Sequence, residues 1–294
     1  MVAMRYCICT AAYPQADLRI RQYAEALLSL LAAREDAEAL LVAESGMEMP
    51  AEFAGAERLH WLPSAAKTPS ALRAAMLAAA RDKNADWLVF IDFDDKINVA
   101  AASMWDALPA DAQIGYANMA LIGSDGESLG RRMFRHMPPH VVAEDLISAN
   151  CLGFSNAAIR RAALHPEDCA VPLGLTAVDW WLFSRLLGRG LIAVHVPGIA
   201  AEYRQYDGNF LGARSAEDVV ALVRRIEALE AHYRASGRND WLARLGQLRG
   251  LRDWPEALLR RQAQNEEGDW WFQSLTRAIC DLTDVLEPAA ENHA

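Results

Sequence analysis

No run of 18 apolar residues occurs in this 294-residue chain, so it offers no segment of the length that a membrane-spanning helix needs. Its first residues also lack a charged region followed by a long apolar core and a cleavage site, from which we expect a soluble cytoplasmic protein. Basic residues are in the minority. With 29 Lys and Arg against 39 Asp and Glu, the net charge is -10, which argues against a nucleic-acid partner held by a basic surface. Cysteine is scarce: Cys7, Cys9, Cys151, Cys169 and Cys280 are odd in number and contain no C-x-x-C pair. That count excludes a disulfide framework and a cysteine zinc site, and points to reduced thiols packed as small core residues. Internal repeats and low-complexity tracts are absent as well.

What is present is apolar and rhythmic. With 53% hydrophobic residues, the chain can bury one large core, or a core with an appendage. Residues 5–10 (RYCICT) read as a first strand, 17–33 as a helix, 39–43 (ALLVA) as a buried strand and 59–62 as a weaker one. An alanine-rich helix over 70–80 leads into a fourth strand over 87–91. Strands alternating with helices imply β-α-β units in a parallel sheet, whose ligands collect at the carboxyl ends of the strands.

Beyond residue 110 the order becomes mixed. Residues 114–122 and 130–135 flank an Asp125-Gly126 hairpin signal, 156–163 and 179–187 read as helices, and 191–196 as another strand. After Gly212 the strand signals stop. Ser215 with Asp218 resembles a capping box that opens a helix, and further helical stretches carry Trp241, Trp254, Trp270 and Trp271. The expected division is an α/β domain over 1–213 and a helical extension over 214–294. The tryptophans of the extension are expected to pack on the domain or to join two copies in a homodimer. Arg249, Arg252, Arg260 and Arg261 are too diluted by Asp253, Glu256, Glu266 and Glu267 to favour a membrane surface.

The sharpest feature is LVFIDFDDKI, residues 88–97. Leu88 to Ile91 read as a strand covered on both faces, and Asp92, Asp94 and Asp95 emerge together at its carboxyl end. Three carboxylates repel one another unless something positive joins them. The cluster reads either as a solvated acidic turn or as a hard-cation site, with magnesium or manganese taking carboxylate oxygen and leaving room for phosphates.

Three later stretches bear on that choice. NCLGFSNAAIRRAAL (150–164) reads as a strand end, a glycine turn and a helix start, where backbone N–H groups can meet a polar ligand. AVDWWLFSRLLGRG (177–190) sets Asp179 before two tryptophans, which alone reads as an acid complementing a helix dipole beside core aromatics. AEYRQYDGNFLG (201–212) crowds Arg204, Gln205, Asp207 and Asn209 into a glycine-rich loop, as solvated loops and phosphate grips both do.

Together these stretches resemble the inverting glycosyltransferases of the GT-A fold, in the large family 2, and in particular its rhamnosyltransferase-like members. The resemblance runs over about residues 4–213 in the family's order. Asp92-Phe93-Asp94-Asp95 looks like the family's D-x-D-D, and Asp179-Trp180-Trp181-Leu182 looks like its D-W-W-L. Tyr203-Arg204-Gln205 with Gly208, Asn209 and Gly212 looks like its Y-R-Q-H-x-x-N-x-x-G. Weaker parallels are Cys9 to Tyr13, Glu44-Ser45, and Ser70 with Arg73. The chain departs at Pro14, where the family has Asn, and at Val178 and Tyr206, where it has His.

The resemblance implies a GT-A, Rossmann-like mixed α/β sheet with flanking helices and a C-terminal helical extension. It also implies metal-dependent inverting transfer of a hexosyl or deoxyhexosyl group from a UDP- or dTDP-linked donor. The acceptor is a glycan, a lipid-linked molecule or a protein, in cell-surface polysaccharide or glycan synthesis, at most peripheral to the inner face of the membrane. By the same resemblance, Asp94 with Asp92 holds Mn²⁺ or Mg²⁺, Asp92 meets the ribose, and Asp95 supports the loop. Thr10, Tyr13, Glu44, Arg73 and Arg204 meet the nucleotide and its phosphates, Asp179 is the base, and Trp180, Trp181 and Asn156 meet sugar or acceptor. VFIDFDD also resembles the first motif of haloacid-dehalogenase-like phosphatases. It departs from that motif at Lys96, where they have Thr or Val, and in following three strands instead of opening the fold. A non-catalytic sugar-nucleotide-binding protein on the same fold is the third reading.

Overall fold

The structure, a computed structural model, describes residues 4–99, 102–206, 218–264 and 270–284. The chain opens with β1 (Tyr6–Ala12), α1 (Asp17–Ala33), β2 (Ala37–Ala43), β3 (Leu59–Pro63), α2 (Pro69–Arg81) and β4 (Trp87–Phe90). These four strands are parallel, in the spatial order β3-β2-β1-β4. Then come β5 (Lys96–Ile97), β6 (Ile114–Ile122), β7 (Ser128–Arg132), β8 (His140–Val141), β9 (Ala157–Arg160), α3 (Val178–Gly188) and β10 (Ala193–Arg204). Among the described residues ten strands form one mixed sheet, ordered β3-β2-β1-β4-β9-β6-β10-β5, with β7 on β6 and β8 on β10.

The sequence of β4 explains its place. Trp87, Val89 and Ile91 share a core with Tyr23, Leu27 and Leu31 of α1, while Leu88 and Phe90 pack with Leu72, Met76 and Leu77 of α2. Cover on both faces is why the strand reads as an unbroken apolar run. In α1 the buried Tyr23, Leu27, Leu30 and Leu31 recur at helical spacing, and each such leucine contributes about 1.5–3 kcal/mol. α2 starts where Thr68 accepts the Ala71 N–H at 3.3 Å and Pro69 occupies the first turn.

Residues 156–163, expected as a helix, form β9 and a short 3₁₀ turn over Arg161–Ala163 instead. β9 inserts antiparallel between β4 and β6, with Ala158 opposite both Val89 and Gly115. Small side chains suit this crowded sheet centre, and the pairing overrides the local helix propensity of alanine and arginine. The strand expected over 191–196 also runs further, to Arg204, with register shifts between His195 and Ala201.

Four helices follow: α4 (Val219–Ala235), α5 (Asn239–Gly250), α6 (Trp254–Gln264) and α7 (Gln273–Thr283). Asp218 caps α4 by accepting the Ala221 N–H at 2.7 Å. Ser215 and the expected boundary at 213/214 lie outside the described residues, as do Asp207, Gly208, Asn209 and Gly212. Leu222, Ile226, Leu229, Leu245, Leu275 and Ile279 join the same core as Trp180 and Leu186 of α3. The tryptophans thus pack within one chain, Trp241 stacking on Tyr233 at 5.0 Å. No helix among the described residues is long and apolar enough to cross a membrane.

Candidate active site

Strands β1, β2, β4, β6 and β10 all end at one edge of the sheet, and antiparallel β9 begins there. A cavity of about 410 Å³ opens at that edge. Tyr13 follows β1 into its lining, Glu44 follows β2, and Asp92 and Asp94 follow β4. Gly153 to Ser155 precede β9, Tyr203 and Tyr206 come from the end of β10, Arg73 from α2, and Asp179 with Trp180 from the start of α3.

The charges are tightly linked. Arg73 donates from Nη2 to Asp92 Oδ1 at 2.9 Å. Burial disfavours the Arg73 cation, but the charges of Asp92 and Asp179 outweigh it and hold the guanidinium protonated beyond its ordinary range. Burial raises the Asp92 pKa; Arg73 opposes the rise and Asp94 adds to it. Asp179 is pushed up to about 6, by burial first and by the Asp92 charge, against the pull of Arg73. A carboxylate that titrates just below neutrality is matched to taking a proton at pH 7.

Asp94 is held by two phenols. Tyr13 donates to Oδ1 at 2.9 Å and Tyr206 to Oδ2 at 2.8 Å. Burial, reinforced by the Asp94 charge, lifts both phenols above their usual range, so both are neutral donors at physiological pH. The Arg19 guanidinium lies 3.8 Å from the Tyr206 ring centre and steadies it. Asp95, by contrast, is buried and does not line the cavity. It accepts from the Ser155 hydroxyl and from the Arg204 N–H at 2.8 Å, and Ser155 in turn accepts the Asp92 N–H at 3.1 Å. Three loops are braced on that one carboxylate.

Five residues expected to touch ligand are buried in the packed interior, Trp180 among them: it borders the cavity but has no exposure, and its Nε1 donates to Leu146 O at 2.8 Å. The Thr10 hydroxyl sits 2.5 Å from that of Tyr23, with no exposure. Trp181 is buried in the core, with the Arg185 guanidinium 5.2 Å from its ring centre. Asn156 accepts the Gly153 N–H at 2.6 Å and donates to Ala117 O and Cys151 O, both at 2.9 Å. Arg204 donates to Asp94 O at 2.7 Å, Ser124 O at 3.0 Å and Gln22 Oε1 at 2.8 Å. For Thr10, Asn156 and Arg204 burial demands hydrogen-bond partners and the neighbouring protein supplies them, so these side chains hold local structure in place, whereas Trp181 packs as a core aromatic. Sequence reasoning missed Asn150, Trp271 and Phe272 as lining residues. The aromatic run at 270–272 was a visible signal, but nothing local shows which part of the sheet it meets.

A hard divalent cation takes one or two carboxylates and completes its shell with phosphate and water. Asp94 fits that role, because each oxygen that accepts one phenol keeps a further lone pair. Among the described residues no group of three His, Cys, Asp or Glu could hold a metal ion as an all-protein cage would. A carboxylate with free lone pairs, as at Asp94, would suit a cation that takes the rest of its shell from phosphate and water.

No protein-family model matches the sequence, and no curated protein matches it. Solved structures resemble it in fold. S. aureus TarS 1-349 in complex with UDP gives a TM-score of 0.51 at 15% identity, over 96% of this chain and 83% of that chain. The mannosyltransferase PcManGT from Pyrobaculum calidifontis, in complex with GDP-Man and Mn²⁺, gives 0.54 at 15% identity, over 97% of this chain and 76% of that chain. For S. aureus TarS in a longer form, with a TM-score of 0.50 at 18% identity, the match spans 78% of this chain and 44% of that chain. At such identities the likeness shows the fold alone, a mixed α/β fold shared with these structures.

Proposed function

We propose that this protein is an inverting glycosyltransferase that moves a sugar from a nucleoside-diphosphate donor to an acceptor hydroxyl. The observation that carries the reading is a single cavity at the strand ends joining Arg73, Asp92 and Asp94 to Asp179. Neighbours of the same fold that bind UDP, or GDP-Man with Mn²⁺, support a donor of this class. Donor binding is assigned to the α/β part, residues 1–213.

Arg73 faces the donor phosphates; a guanidinium carries five N–H donors, more than its pair with Asp92 uses. Asp92 and Glu44 accept hydrogen bonds from the nucleoside. Asp94 would hold Mn²⁺ or Mg²⁺, positioned by Tyr13 and Tyr206, with Tyr206 standing where the resembled family has His. When bound, such a cation supplies positive charge to the leaving diphosphate. Asp179 takes the proton of the acceptor hydroxyl as its oxygen attacks the anomeric carbon. The bond from that carbon to the diphosphate breaks, and its electron pair leaves with the phosphate oxygen.

The test is release of nucleoside diphosphate from UDP-, dTDP- and GDP-linked sugars by the purified protein with Mn²⁺. Release is expected from at least one donor. It is expected to fall in Asp179→Asn while calorimetry shows unchanged nucleotide affinity. Binding without release from any donor would make the protein a binder, not an enzyme.

A further inference from the structure

The turn before α7 reaches the cavity from the far end of the chain. Asn150 and Trp271 exchange both backbone hydrogen bonds, at 3.0 and 2.9 Å, and the Thr276 hydroxyl donates to Ser148 O at 2.7 Å. Phe272 adopts φ 65° and ψ −11°, a left-handed conformation that is costly for a residue other than glycine and persists only where the surroundings impose it. Its ring lies tilted on Trp180, centres 5.0 Å apart. Trp271 packs edge-on to Phe134 at 5.1 Å and to Tyr203 at 6.0 Å.

Gly153 shows how close the turn comes to Asp179. A Cβ there would lie 2.9 Å from Trp271 Cη2 and 3.4 Å from Asp179 Oδ2, so indole and carboxylate meet over one glycine. Within this turn the buried Trp271 Nε1 has no hydrogen-bond partner among the described residues, although its indole lines the cavity. A buried donor of this kind is destabilising until an oxygen meets it.

On the transferase reading above, we propose that the turn at 270–272 completes the acceptor subsite, with Trp271 and Phe272 forming the surface on which a pyranose ring of the acceptor packs beside Asp179. Aromatic faces suit the apolar C–H face of a sugar ring. The acceptor is thereby a glycan, and the C-terminal helices select it.

Saturation-transfer NMR tests this in the presence of whichever of UDP, dTDP or GDP binds. The probes are the methyl glycosides of glucose, N-acetylglucosamine, mannose and rhamnose, with glycerol as a polyol that has no ring. At least one glycoside is expected to bind through its ring protons, and glycerol is not. Trp271→Ala is expected to weaken that glycoside about tenfold with nucleotide affinity unchanged. Trp271→Phe, which keeps a smaller aromatic face, is expected to lie in between, and decides the matter if the alanine variant does not fold. Equal glycoside affinity in both variants, or a wild type that binds nucleotide but no glycoside, overturns the subsite. Failure of all three nucleotides to bind overturns the transferase reading, and the subsite with it.

Discussion

The cavity lining is charged where it draws on Arg73, Asp92 and Asp94, and aromatic where it draws on Trp180, Trp271 and Phe272. The charged part comes from segments close in the chain, at the ends of parallel strands and the first turns of α2. The aromatic part joins the start of α3 to a turn far downstream, through the bridge between Asn150 and Trp271. Diphosphate chemistry needs fixed charges, which short sequence motifs can carry. Ring recognition needs only a surface of the right shape, which packing assembles from distant residues.

Asp179 lies where the two parts meet, and its loss should have the largest effect. Asp179→Asn is expected to lower transfer by about 10²–10⁴-fold with donor affinity intact, as measured by steady-state kinetics and calorimetry. A near-normal rate would make Asp179 an ordinary helix-start carboxylate.

Arg204 sharpens the contrast because it sits behind the charged part without lining it. Arg204→Ala empties the site of a buried guanidinium and strands several part-buried acceptors, among them Asp94 O and the Gln22 amide oxygen, and is expected to cost about 3–5 kcal/mol in urea unfolding. Weakened nucleotide binding at unchanged stability would instead make it a phosphate grip. For Asp94→Ala the expected loss is about tenfold in UDP affinity with manganese present, and EDTA should produce a similar loss in the wild type. Equal affinities in all three samples would remove the metal role.

The smallest effects concern pH. Transfer should rise through pH 6 and level off above it, because Asp179, pushed up to about 6, must be ionised to act. Its folded-state pKa lies above the ordinary 3.8, so the native state holds the proton more tightly than the unfolded chain does. Stability from this group therefore falls between about pH 4 and 6, and the full penalty remains above that range. Asp179→Asn removes the penalty and should stabilise the protein by about 1–3 kcal/mol at pH 7.5, read as a higher Tm. A lower Tm would show that the carboxylate is not strained by its surroundings.

Much of the α/β half was legible. Double cover leaves an apolar run at β4, helical spacing marks α1, and the carboxylates Asp92 to Asp95 mark a strand end. Residues 156–163 were not legible, because alanine and arginine favour helix locally while the gap between β4 and β6 decides for strand. Thr10, Arg204 and Asn156 carry groups typical of ligand contacts, and only the packed structure shows those groups spent on Tyr23, Asp94 and Gly153. Trp271 gives a compositional signal without an address, since its partner Asn150 lies far away in sequence.

The central claim is that a nucleoside diphosphate occupies the charged part of the cavity. A crystal structure with UDP, dTDP or GDP and manganese, recorded at the manganese absorption edge, tests it most directly. The account predicts the diphosphate beside Arg73 and an anomalous peak at Asp94. Nucleotide bound outside the cavity, with Arg73, Asp92 and Asp94 untouched, would contradict it.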